Sequence, residues 1–240
     1  MTALSVNINK LALLRNSRGR DYPNLLSFAA RFIELGVQGI TIHPRPDERH
    51  IRRADAYELG DFLRKMDNVE FNIEGFPSIE FLKLIKEIRP HQCTLVPDAD
   101  NQLTSDHGWD FKTRGKFLAD VIGQIKSWGV RAAVFLDPDE SQVELAAQAG
   151  ADRIELYTAH YAQAYAKGED NLAEYRSAAL RAQSLQMGVN AGHDLDLQNL
   201  KSFLTIPKIL EVSIGHALIV ECIEQGMDDV IASYLAICRV

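Results

Sequence analysis

The stretch GITIHPRPDERHIRRADAYELGDFLRKMDNVEFNIEGFPSIEFLKLIKEIRPHQCTLVPD, residues 39–98, holds two repeats of one unit and the start of a third. A short β-rich run, Gly39–His43, is followed by Leu59, Phe62, Leu63 and Met66 at helical spacing. A second run, Glu70–Glu74, is followed by Phe81, Leu84, Ile85 and Ile88 at the same spacing, closed by Pro90. The third run, Cys93–Val96, ends in a polar stretch. The unit extends in both directions. Further runs lie at Leu4–Ile8, Ala132–Leu136, Arg153–Tyr157, Gly188–Asn190 and Glu211–Ile214, which makes eight. The spaces between them hold Leu25, Phe28, Ala29 and Phe32 before Gly36; Leu118, Val121, Ile122 and Ile125 before Gly129; and a segment from Asp139, an N-cap residue type, to Gly150. Tyr175, Ala178, Ala179 and Ala182 continue the series, a weaker segment spans Gln198–Leu204, and Ile231, Tyr234, Leu235 and Cys238 make the last helix.

Successive run starts are at least 21 residues apart, enough for a parallel crossover at every step. Eight β-then-α units in 240 residues predict an α/β protein, a (β/α)8 TIM barrel with extra short helices, as a single domain over residues 1–240. A doubly wound open sheet is the competing arrangement. It usually has fewer strands and a glycine-rich first turn, and Asn9–Arg20 contains no GxGxxG.

Composition narrows the function classes. The formal charge of −7 argues against nucleic-acid and anionic-membrane partners, so an anionic ligand would need locally concentrated basic residues. The cysteines, Cys93, Cys222 and Cys238, are odd in number and form no CxxC pair, so they are expected to be buried, inert thiols in a reducing compartment. The first ten residues contain no long apolar run, and no segment approaches transmembrane length, which together predict a cytoplasmic protein.

In a barrel, chemistry sits at the C-terminal ends of the strands. Here those ends are polar throughout: Asn7, Asn9 and Lys10; His43, Arg45 and His50; Asn72 and Glu74; a long loop with Thr104; Asp137; Glu155, Tyr157 and Thr158; Asn190, Gly192 and His193; and Ser213, Gly215 and His216. Polar groups at a mouth cost desolvation unless they are paired or used. His43, Glu74 and His193 are the candidate proton-transfer groups, since imidazole titrates near neutrality and a carboxyl is tuned upward by burial. Arg18, Arg45 and His50 are candidate anion clamps, whereas Arg49, Arg52 and Arg53 read as a solvated face. Gly215–His216 before a helix start suits a phosphate, with Gly192–His193 completing the frame. His43, His50, His193 and His216 could in principle bind zinc, but no metal is expected. The first run lacks histidines two apart, and the arginine near His43 would repel a cation. From the residues alone, a phosphosugar isomerase or aldolase and a non-catalytic oligomeric binding protein stay open beside an acid–base enzyme of phosphorylated substrates.

The strings VNINKLALLRNSRG (6–19), GITIHPRPDERHI (39–51), NIEGFPS (72–78), LVPD (95–98), VNAGHDL (189–195) and SIGHAL (213–218) together resemble the pyridoxine 5′-phosphate synthase family, in order and over essentially the whole chain. The resemblance implies condensation of 3-amino-2-oxopropyl phosphate with 1-deoxy-D-xylulose 5-phosphate to pyridoxine 5′-phosphate, phosphate and water. It also implies no cofactor and a homo-octamer built from dimers. Under it, His43 and Glu74 are proton acceptors and His193 a proton donor. Asn7, Arg18 and the backbone of Gly215–His216 match the aminoketone phosphate site, and Asn9, Lys10, Arg45, His50 and Thr104 the sugar phosphate site. Two positions depart from the commonest pattern: Asn9–Lys10 stands where many members have Asp-His, and Asp194 where many have Gly.

Overall fold

A computed structural model describes residues 1–98 and 105–239. Eight parallel strands close into a barrel in sequence order: β1 (Ala3–Asn7), β2 (Gly39–Ile42), β3 (Glu70–Gly75), β4 (Gln92–Leu95), β5 (Arg131–Leu136), β6 (Arg153–Tyr157), β7 (Gly188–Gly192) and β8 (Ile209–Ile214). Closure is made by β8 on β1, with Ser5 beside Ser213 and Val6 beside Ile214. The expected runs and the observed strands agree to within a residue or two at each end.

The helices are α1 (Asn9–Asn16), α2 (Leu25–Glu34), α3 (Arg53–Leu63), α4 (Ile79–Ile88), α5 (Phe111–Ser127), α6 (Glu140–Gln148), α7 (Ala159–Ala166), α8 (Leu172–Ser184), α9 (Leu200–Phe203), α10 (His216–Gln225) and α11 (Met227–Cys238). Their starts follow local chemistry. Asn24, Ser78, Asp110 and Asp139 each accept a backbone N–H of the first turn through the side chain. Gly36 follows the end of α2 with φ +100°, a conformation that penalises a Cβ. The segment after β1, Asn9–Arg20, is more ordered than a turn. Asn9–Asn16 is helical because Leu11, Ala12 and Arg15 bury one face of it.

Strand alternation sorts the barrel into two environments. Outward residues such as Leu4, Val6, Ile40, Phe71, Ile73, Cys93, Val134, Ile154 and Val212 join the helices in one continuous apolar layer. Most inward residues are polar, where barrels usually stack branched aliphatics, with Phe135 and Tyr157 forming a small apolar cluster of their own. Ser5 and Thr41 share a hydrogen bond of 2.7 Å, Thr94 donates to Asn72 (3.0 Å), and Asn190 donates to Gln92 (3.3 Å). At the N-terminal end Arg131 pairs with Glu70 and Arg153 with Glu211 (3.5 Å), which plugs the barrel with paired charge. This hydrogen-bonded floor lies directly below the strand ends that carry the candidate chemistry.

Candidate active site

His43 follows β2 immediately and Glu74 is the penultimate residue of β3, so both side chains enter the mouth from neighbouring strands. Nδ1 of His43 lies 4.0 Å from Oε2 of Glu74. Asn7 at the end of β1 donates through Nδ2 to the same carboxylate oxygen (3.4 Å). Asn9 acts on the backbone: its Oδ1 accepts the His43 N–H (3.0 Å), and its own N–H donates to Oδ1 of Asn7 (3.0 Å). The departure at this position therefore keeps an oxygen acceptor that ties β1 to the end of β2.

Burial lowers the His43 imidazole well below its ordinary range, assisted by the charges of Arg45, His50 and Arg49. Burial raises the Glu74 carboxyl well above its ordinary range, reinforced by Glu155, Asp98 and Glu211 and opposed by Arg45. Neutral imidazole can accept a proton, and a carboxyl raised toward weaker acidity becomes a stronger base once ionised.

Arg45 is buried and pairs with Asp98, whose Oδ2 also lies 4.0 Å from Nε2 of His43. Together with Pro44, Pro46, Phe76 and Phe81 these residues line a cavity of about 490 Å³. His50 stacks edge-on to His43 with ring centroids 6.4 Å apart. Its Nδ1 accepts the Ile51 N–H (2.9 Å), which leaves Nε2 as the donor of the neutral ring. Burial, then Arg45 and Arg49, lower His50 to about 4, so it is a neutral donor at pH 7. Lys10 is exposed on the first turn of α1, near enough for its charge to act on both His50 and Asp194. Thr104 lies outside the described residues.

On the opposite side, His193 stands across the mouth, stacked edge-on to Tyr157 at 5.1 Å. Its carbonyl and that of Gly192 accept from the Thr158 hydroxyl, which holds the end of β7. His193 and Asp194 both have positive φ, +92° and +58°. The second value explains why glycine is common there: the left-handed region favours Gly, then Asn and Asp. Asp194 turns its carboxylate to Nδ1 of His193 (3.4 Å), and that contact holds its carboxyl below the usual range. Gly192 and Gly215 are required by close packing. A Cβ on Gly192 would meet Oε1 of Glu155 at 2.5 Å, and one on Gly215 would meet Cβ of Asn7 at 3.1 Å. His216, exposed, opens α10 beyond Gly215.

Arg18 is placed differently. It lines a second cavity with Arg15, Arg20, Asp21, Arg52 and Asp55, apart from the one lined by His43 and Arg45. Three contributions were given no role from the sequence, although Glu155 was named among the polar strand ends. Asp98 is the ion-pair partner of Arg45; a buried arginine calls for a carboxylate, but spacing does not say which. Glu155 lies beneath the mouth, and burial together with Glu211 pushes it up to about 8. Arg15 and Asn16 of α1 organise the His50 loop. Arg15 forms a two-pronged pair with Asp55 (2.6 and 2.7 Å), and Asn16 Nδ2 donates to the carbonyls of Glu48, Arg49 and His50.

Comparison with known proteins bears on this geometry. The family model for "Pyridoxal phosphate biosynthesis protein PdxJ" matches residues 4–240. The pyridoxine 5′-phosphate synthase of Bacteroides thetaiotaomicron is 53% identical over 236 residues, 98% of each chain. That of Xanthomonas campestris pv. campestris is 49% identical over 98% of this chain and 96% of its own. Among solved structures, the tryptophan synthase subunit alpha of Legionella pneumophila superposes with a TM-score of 0.66 at 14% identity, covering 99% of this chain and 93% of that one. The phosphoribosyl anthranilate isomerase of Thermotoga maritima gives 0.63 at 13% identity, covering 100% and 99%. These two likenesses concern the barrel fold alone.

Proposed function

We propose a division of labour at the barrel mouth from one premise: the chain belongs to the PdxJ family of pyridoxal phosphate biosynthesis proteins. It is an enzyme of vitamin B6 biosynthesis with pyridoxine 5′-phosphate synthase activity. In our reading, 3-amino-2-oxopropyl phosphate and 1-deoxy-D-xylulose 5-phosphate condense to pyridoxine 5′-phosphate, phosphate and water. The observation that supports this most directly is the pair His43 and Glu74, 4.0 Å apart, with His43 lining the same cavity as Arg45.

The amine of the first substrate adds to the ketone of the second and water leaves, giving an imine. Loss of a proton and of the sugar's phosphate forms an alkene. Addition of water, aldol-type closure and dehydration then yield the aromatic ring. His43 and Glu74 accept protons in these steps and His193 returns one. Arg45, His50, Thr104, Asn9 and Lys10 hold the sugar phosphate. Arg45 stabilises the charge of the departing phosphate, and His50 donates to it as a neutral ring. Asn7, Gly192, Gly215 and His216 receive the aminoketone phosphate. Arg18 is assigned there by family resemblance, since its side chain faces the second cavity in this structure.

No described helix is long and apolar enough to cross a membrane. A cytoplasmic location and a homo-octamer of dimers complete the proposal. The test is a two-substrate assay that follows the absorbance and fluorescence of the pyridine product. Wild type should form product, and Glu74→Gln should fold normally yet lose most turnover. Near-normal turnover in that variant would remove Glu74 from the mechanism.

A further inference from the structure

We propose that Asp98 is a substrate-binding residue: its Oδ1 accepts a hydrogen bond from a hydroxyl of the phosphorylated sugar whose phosphate sits at Arg45. The inference rests on the reading of Arg45 as the sugar-phosphate clamp.

The two oxygens of Asp98 are unequal. Oδ2 is engaged: it pairs with Nη2 of Arg45, accepts from the Ser105 hydroxyl (2.9 Å), and faces Nε2 of His43 at 4.0 Å. Oδ1 is fully buried and has no hydrogen-bond partner among the described residues. The residue is only 5% exposed, yet it lines the same cavity as His43 and Arg45. A carboxylate offers about four acceptor sites. Leaving a buried polar atom without a donor costs about 1–3 kcal/mol, and more when the group is charged. A folded protein tolerates such an atom where a ligand supplies the missing donor.

The chemistry of that donor follows from the neighbours. A second phosphate oxygen is excluded, because a carboxylate repels it. A hydroxyl on the carbon chain next to a phosphate held by Arg45 meets the requirement: it is neutral and can donate. Asp98 would then serve two ends of one ligand, with Oδ2 setting the guanidinium that grips the phosphate and Oδ1 reading the chain beside it. It would also make the clamp selective. A bare phosphate ester gains only from a guanidinium already partly neutralised by Asp98, whereas a hydroxylated one gains the buried acceptor as well. Sites built to bond a hydroxyl reject analogues that lack it far more strongly than apolar pockets reject a missing methylene.

The experiment is equilibrium binding to wild type, Asp98→Ala and the isosteric Asp98→Asn. The ligands are 1-deoxy-D-xylulose 5-phosphate, its two analogues lacking one or the other chain hydroxyl, and ethyl phosphate as a probe of the clamp alone. Wild type should bind the full sugar phosphate about 10- to 100-fold more tightly than one of the two deoxy analogues. In Asp98→Ala that preference should fall below about threefold, and in Asp98→Asn it should shrink in the same direction, since a neutral hydrogen bond is weaker. Equal affinity of wild type for all three sugar ligands would overturn the inference, and this arm needs no variant to fold. An unchanged preference in the variants would overturn it too, as would equal weakening of every ligand including ethyl phosphate, which would leave Asp98 as an anchor for Arg45 only. Failure of the proposed reaction is read separately, as absence of pyridine product while the hydroxyl preference persists.

Discussion

Neutralising Glu155 should stabilise the protein, and by an amount that depends on pH. The carboxyl is 3% exposed inside the barrel, and among the described residues its hydrogen bond is a weak one with Thr94 at 3.4 Å. Burial, followed by the charge of Glu211, raises it from 4.5 to about 8. At 1.36 kcal/mol per pH unit, ionising it in the folded state costs roughly 5 kcal/mol. The folded value lies above the unfolded one, so the associated stability is complete below about pH 4.5 and is lost as pH rises through about 8. Linkage puts the loss between pH 6 and pH 9 at about 3 kcal/mol. Glu155→Gln keeps the shape and cannot ionise. Its unfolding free energy should therefore exceed that of wild type by an increment that grows on the order of 1–3 kcal/mol between pH 6 and 9, once relaxation of the cavity is allowed for. Urea unfolding at fixed protein concentration, with both proteins at both pH values, measures this. Glu211 is also raised, to about 7, and its charge acts on Glu155, so the difference between the two proteins includes the loss of that coupling. A difference that stays constant from pH 6 to 9 would show that Glu155 does not change protonation there.

Two further outcomes follow from the His50 side of the mouth. His50 is depressed to about 4, so its contribution to stability is lost as pH falls below its unfolded value near 6.5. His50→Asn should remove about 2 kcal/mol of the destabilisation that wild type shows between pH 7 and 5, read from urea midpoints. An equal acid sensitivity in the two proteins would contradict the buried, neutral ring. Asn16→Ala withdraws the side-chain donor from the carbonyls of Glu48, Arg49 and His50. It should raise KM for the sugar phosphate about tenfold with kcat little changed, because it loosens a binding loop and leaves His43 and Glu74 in place. A fall in kcat without a change in KM in steady-state kinetics would refute that role.

Much of the site was legible because it follows from position on a repeated unit. Once the runs were recognised as barrel strands, His43, Glu74, Gly192 and Gly215 had to lie at one rim, since every strand in such a barrel points the same way. Asp98 was harder to find. Its string LVPD was visible, but its role depends on Arg45 turning inward, and the intervening 52 positions say nothing of that. Arg18 illustrates the reverse: guanidinium chemistry suggested a clamp at the mouth, and the backbone after α1 sends it to a different cavity.

What the sequence determined alone was periodicity. Apolar residues two apart and then three and four apart specify strands, helices and their order, because burial of one face is a local requirement repeated along the chain. What only the tertiary structure decided was the electrostatic state of the groups inside. That Glu155 sits near 8 and His50 near 4 depends on how much water is excluded and which charges face each other. Those are properties of three-dimensional distance between distant parts of the chain, and no local pattern encodes them.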